Sequence, residues 1–138
     1  MKALGYLLLV VVLALGALAG SFLLASESGE VVVLETRDAQ GESHETRVWV
    51  VDHGGFQWLR TGNPQSQWLA RLRANDVVSV TRNGVTRQYR AEPQEDTTTR
   101  ATINDLVMEK YGLAERFLRA LMLDPEVAVP IRLVPMAS

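Results

Sequence analysis

From Ala3 to Ala25 the chain carries twenty-three residues without a charge, and this run constrains the fold more than any other stretch. At about 1.5 Å per residue, a helix of that length spans the roughly 30 Å hydrocarbon layer of a bilayer. A helix buried in a soluble core seldom stays apolar around its whole circumference for so long. Two readings follow: a retained transmembrane anchor over residues 1–26, or a cleaved signal peptide. Lys2 and the small-x-small triplet Ala17-Leu18-Ala19 suit cleavage, whereas Phe22, Leu23 and Leu24 prolong the run beyond that cut and favour the anchor. Lys2 precedes the span, Glu27 and Glu30 follow it, and the next basic residue is Arg37. That charge order predicts a single-pass cell-membrane protein with its globular part, residues 27–138, on the exported side. Membrane lipid is then a partner.

Composition removes several function classes. The 138 residues include no cysteine and two histidines, His44 and His53, with a net charge of −2. Disulfide frameworks, thiolate metal sites and cysteine nucleophiles are excluded. The acidic balance argues against nucleic acid as a partner, because that affinity rests on neutralising phosphates. His44, His53 and Asp52 match no metal-ligand spacing, so no metal is expected. Ser66 and Ser79 lack a nucleophile-elbow context, which speaks against a hydrolase, and His53 before Gly54-Gly55 reads as a turn residue.

Strand signals dominate residues 31–91. Val31–Leu34 and Thr46–Val51 are apolar, β-branched runs separated by a polar turn, and Gly54-Gly55 joins the second to Phe56–Arg60 as a hairpin. Asn83-Gly84 between Val77–Arg82 and Val85–Ala91 is the strongest short hairpin signal. That register faces Val78 with Tyr89, Val80 with Arg87 and Arg82 with Val85, placing Arg87 on the apolar face. A cation there needs a partner, a rim or a bound anion, so Arg87 is a candidate ligand contact; the alternative is that it snorkels to the barrel end. Asn63 as cap and Pro64 at the first helical position open a short crossing helix with Trp68, Leu69 and Leu72 as its stripe. A helix from about Thr97 carries Ile103, Leu106, Val107 and Tyr111, breaks at Gly112, and continues through Leu113, Phe117, Leu118 and Leu121. Val127–Val134, containing Pro130, is an edge or barrel-closing strand. The fold class is mainly β with α: a small antiparallel barrel with one crossing helix and a C-terminal helical segment.

The stretches Gly41–Asp52, Leu59–Pro64 and Trp68–Asn75, followed by the Asn83-Gly84 hairpin, resemble the deazaflavin-dependent nitroreductase family. That family is a branch of the split β-barrel flavoproteins related to pyridoxamine-phosphate oxidase. The resemblance implies a six-stranded split barrel and a groove for deazaflavin (F-420-type) or FMN. Carried over by position, the cofactor-binding candidates are His44, Thr46, Arg47, Arg60, Thr61, Gly62, Asn63 and Trp68, with Arg87 added from its register. A glycine-containing loop before a helix offers N–H groups to an anion, and Arg47 and Arg60 would add charge-assisted contacts. Trp68 is also a candidate core anchor. The chain departs from the family pattern at Glu42, His44, Arg47, Arg71 and Asp76, and its glycine loop lacks a lysine.

The implied activity is a membrane-anchored oxidoreductase that reduces a quinone-like or nitroaromatic small-molecule substrate, the cofactor carrying the chemistry. Tyr89 and Tyr111 are either proton donors or core residues. The alternative is a non-enzymatic, membrane-tethered module that binds a small molecule or cofactor. The family resemblance also admits a homodimer.

Overall fold

In a computed structural model of the chain, alternation along the first strand sets the inside of a barrel. The structure describes residues 2–27, 29–121 and 124–137, with the backbone alone at 19–27. In β1 (Val31–Arg37), Val32, Leu34 and Thr36 are buried while their neighbours are not. The wall continues through β2 (Ser43–His53), β3 (Phe56–Thr61), β4 (Val77–Arg82), β5 (Val85–Pro93) and β6 (Val129–Pro135), with adjacent residues buried on both faces at Val50-Val51, Trp58-Leu59 and Val129–Ile131. Paired antiparallel in the order β1-β2-β3-β6-β5-β4, with β4 returning to β1, these strands close a six-stranded barrel. Closure leaves no open sheet edge. Leu34, Leu59, Ile131 and Leu133 fill the interior together with Leu69 and Leu72 of α2 (Gln67–Ala74). Each such buried side chain contributes about 1.5–3 kcal/mol.

Turn chemistry fixes the register. Asn83 and Gly84 have φ of 53° and 77°, and Gly54 and Gly55 of 62° and 83°. Two successive positive φ values are what a two-residue hairpin needs to match strand twist. The expected pairs Val78–Tyr89, Val80–Arg87, Arg82–Val85 and His53–Phe56 all form.

A second apolar cluster lies outside the barrel. Trp49 and Val51 of β2 and Phe56 and Trp58 of β3 meet Ile103, Leu106, Val107 and Tyr111 of α3 (Thr97–Tyr111). Asp96 caps α3 by accepting from the Thr99 N–H at 2.9 Å. Gly112, at φ 50°, ends it, its N–H reaching the Met108 carbonyl at 2.8 Å. The break lets α4 (Leu113–Leu121) leave in a new direction.

Four expectations need correction. Arg87 is exposed rather than on a covered apolar face, because β6 pairs with β5 only from Tyr89 onward and Val85–Gln88 project past it. Leu113 is 80% exposed and Leu121 is also exposed, so the buried stripe of α4 consists of Glu115 and Leu118. The crossing helix begins at Gln67, not at Pro64, and Asn63 is not its cap: the Asn63 side chain instead accepts from the Gln65 N–H at 2.9 Å.

The fourth concerns the N-terminus. Residues Lys2–Glu27 form one helix, α1, and the apolar side chains described within it are exposed. Among the described residues, no helix is long and apolar enough to cross a membrane. The transmembrane expectation therefore gains no support from the structure. The expected joint at Ser26–Gly29 includes Ser28, which lies outside the described residues.

Candidate functional site

A cleft of about 210 Å³ opens on the outer barrel wall where β2, the β3–α2 loop, α3 and α4 meet. Trp49, Trp68, Val107 and Leu118 supply its apolar lining, and Arg47, Arg60, Thr61 and Gly62 its polar part. The cleft brings together five of the nine candidates: Arg47, Arg60, Thr61, Gly62 and Trp68. Trp68 packs against the barrel core and also lines the cleft.

The aromatic wall is held rigidly. The Trp49 ring stacks on Tyr111 with centroids 4.1 Å apart and planes 6° from parallel, an arrangement worth roughly 0.5–1.5 kcal/mol beyond its buried area. The Tyr111 hydroxyl accepts from the Val50 N–H at 3.0 Å and donates to the Glu30 carbonyl. Burial pushes its pKa up. Gly29, at φ +77°, lies so near that an added Cβ would fall 2.8 Å from Cδ1 of this ring. Tyr111 is thus a structural strut, its hydroxyl occupied by backbone.

Arg60 is bound within the fold. Its Nη1 donates to Asn104 Oδ1 at 3.1 Å and its Nη2 to Glu115 Oε2 at 2.8 Å. The other Glu115 oxygen accepts from Arg119 Nε at 2.7 Å. Arg60 is 7% exposed and Glu115 wholly buried. Burial pulls the guanidinium's pKa down, opposed by the adjacent carboxylate. Behind this triad lies a second cavity of about 490 Å³, lined by Arg100, Asn104, Arg119 and Glu126 among others.

The β3–α2 loop closes on itself. The Thr61 hydroxyl accepts from the Asn63 N–H at 3.1 Å and donates to the Asn63 carbonyl at 2.8 Å, and the Ser66 N–H reaches the same carbonyl at 3.1 Å. Asn63 therefore shapes the loop from outside the cleft. His44 also lies elsewhere, with Nε2 2.8 Å from Asp38 Oδ2 in the β1–β2 turn. Asp38 stands below its usual carboxylate pKa, chiefly through that imidazole contact. Ligand-type atoms of Asp38, Glu42 and His44 lie within 4.8 Å of one another at this partly exposed turn. Thr46 pairs with Leu34 across β1 and does not line the cleft. Arg87 lines a separate surface cavity with Tyr89, Pro135 and Met136.

Trp49, Asn104, Val107, Glu115, Leu118 and Arg119 escape sequence reasoning as site residues. One signal for Glu115 exists. Within α4, Glu115 and Leu118 have the i, i+3 spacing of one buried helical face, so the carboxylate falls on a face that should be apolar.

No family model matches the chain, and no curated protein matches it in sequence. Solved structures do match in fold. A conserved hypothetical protein of Mycobacterium tuberculosis superposes with a TM-score of 0.63 at 24% identity, over 80% of this chain and 75% of its own. The heme storage protein HutZ of Vibrio cholerae gives 0.62 at 16% identity, over 83% and 87%. An F-420 reductase gives 0.54 at 19% identity, over 82% and 91%. The chain has the split β-barrel fold of the pyridoxamine-phosphate-oxidase type, a fold that serves both reductases and heme storage.

Proposed function

We propose that this split barrel binds a flat redox cofactor of the flavin or deazaflavin type (deazaflavin of the F-420 type, or FMN) and acts as an oxidoreductase on a quinone-like or nitroaromatic acceptor. The observation that carries the reading is the cleft lined by Trp49 and Trp68, built at the wall where Arg47, Arg60 and Gly62 converge. Indole surfaces suit a planar heteroaromatic ring. At about 210 Å³ the cleft is smaller than an ordinary ligand pocket, so it takes one end of such a ring system and leaves the remainder outside.

When bound, the cofactor supplies the hydride or electrons. The chain's own residues orient and shield it. The Tyr111 strut fixes the Trp49 wall, and Val107 and Leu118 keep water from the inner end. The exposed Arg47 meets the polar part of the ligand. The donor set fits the ring, but not a phosphate at Arg60, whose guanidinium is already engaged by Glu115 and Asn104. No side chain is assigned as an acid or base. The apolar α1 suits attachment to a membrane, with the barrel on the exported side, where a lipid-soluble acceptor is within reach.

A second reading, a non-enzymatic binding module, is favoured by that engaged arginine and by the fold's occurrence in a heme storage protein. Tryptophan fluorescence of the full chain in detergent, titrated separately with FMN and with deazaflavin, tests the first reading. Saturable micromolar quenching, weakened about tenfold by Trp68→Ala, supports it, tenfold being about 1.4 kcal/mol. A folded protein that binds neither cofactor leaves the module reading.

A further inference from the structure

The Arg60–Glu115–Arg119 triad sits between the two cavities. Arg60 lines the cleft, while Arg119 and Asn104 line the cavity behind it. Arg60 and Arg119 both donate to the wholly buried Glu115 carboxylate, each taking a different oxygen, while Asn104 accepts from Arg60 beside them. Two guanidinium cations aimed at one buried position form the arrangement that recognises carboxylates and phosphates. One carboxylate leaves that position with a surplus of positive charge, and Glu115 comes from α4, three residues beyond the Gly112 break.

We propose that Glu115 is a specificity determinant of the cleft: its carboxylate fills, from within the chain, the place where Arg60 and Arg119 would otherwise hold a ligand's anionic group. The inner end of the cleft then takes an uncharged ring edge, and any ligand phosphate stays outside. Glu115 acts through Arg60 and Arg119, as a positioning residue. This deepens the reading of the cleft as a flavin-type site, and rests on that reading only where flavins are the probe.

The full chain in detergent is titrated with riboflavin and with FMN, which differ by one phosphate. Wild type is expected to bind the two within about threefold of each other, a difference under 1 kcal/mol. Glu115→Ala vacates the anion position and is expected to prefer FMN by about tenfold or more. A purely structural ion pair would weaken both ligands together and leave their ratio unchanged. In parallel, inorganic phosphate at constant ionic strength is expected to raise the melting temperature of Glu115→Ala and not that of wild type. If the variant is unfolded in chloride, phosphate is expected to restore its folded near-UV signal. A wild type that prefers FMN about tenfold overturns the proposal, as does a variant that phosphate neither stabilises nor refolds. If wild type binds neither flavin, the flavin reading fails while the phosphate arm still decides the role of Glu115.

Discussion

Arg60 shows how one residue type carries two meanings. An arginine beside a glycine loop suggests an anion contact, yet its partner here is a glutamate 55 positions further along the chain. Removing one member of a buried pair strands a charge, and the cost is about 3–5 kcal/mol. Arg60→Met is therefore expected to lower unfolding free energy in urea by that order. The Arg60→Met/Glu115→Leu double variant is expected to recover most of the loss, since Arg119, at 26% side-chain exposure, can turn toward water. A double-variant loss equal to the sum of the Arg60→Met and Glu115→Leu losses would show that the pair is not coupled. The partner was hard to find from sequence because ion pairing across the fold leaves no local trace. Only the misplaced charge on α4's apolar stripe hints at it. Arg47 and Trp68 came from the family resemblance; Thr46, paired with the buried Leu34, alternates to the face opposite Arg47, and His44 is engaged by Asp38 at the β1–β2 turn.

At the scale of elements, the hairpins were readable because two-residue turns specify their own registers, as at Asn83-Gly84. The closing contacts are not local. Arg82, at the end of β4, donates to Glu30 at 2.8 and 2.9 Å and to both oxygens of Asp52 at 2.8 and 2.9 Å. Lys110 at the end of α3 adds a 2.7 Å bond to Glu30. This cluster ties β1, β2, β4 and α3 at one end of the barrel. The Arg82 and Lys110 hydrogen bonds pull Glu30 down from 4.5 to about 2, and Arg82 likewise holds Asp52 below its ordinary value. A carboxylate with a depressed folded pKa stabilises fully above its unfolded value and loses that contribution as pH falls through the folded one. The melting temperature is thus expected to fall as pH drops from about 5 toward 2. Arg82→Met should flatten that slope, leaving mainly the shares of Asp38 and Asp96, which are also depressed. Thermal unfolding of both proteins at steps of pH measures this. An acid slope unchanged in Arg82→Met would place the titrating groups elsewhere.

For the whole molecule, the barrel and α1 have separate supports. The interior is filled by strands and α2, and the outer cluster by strands and α3; none of the described side chains of α1 joins either, and α1 touches mainly α4. Its described apolar side chains are exposed, Leu4, Leu8, Leu13 and Leu18 each by half or more. Leaving that surface in water costs roughly 25 cal/mol for every Å², so α1 requires an apolar partner that the barrel does not provide. A bilayer is the partner expected from the charge order around the run. Full-length chain is expected to remain with membranes through a high-salt wash and an alkaline carbonate wash, the second of which removes proteins held by surface charge. A chain of residues 27–138 is expected in the soluble fraction with nearly the same midpoint in urea, because no described member of either apolar cluster lies in the removed segment. Release of the full chain by carbonate would mean that α1 lies along a surface or packs on another protein. A large drop in the midpoint of the shortened chain would mean that the α1–α4 contact stabilises the barrel, and through Glu115 on α4 the loss would extend to the cleft.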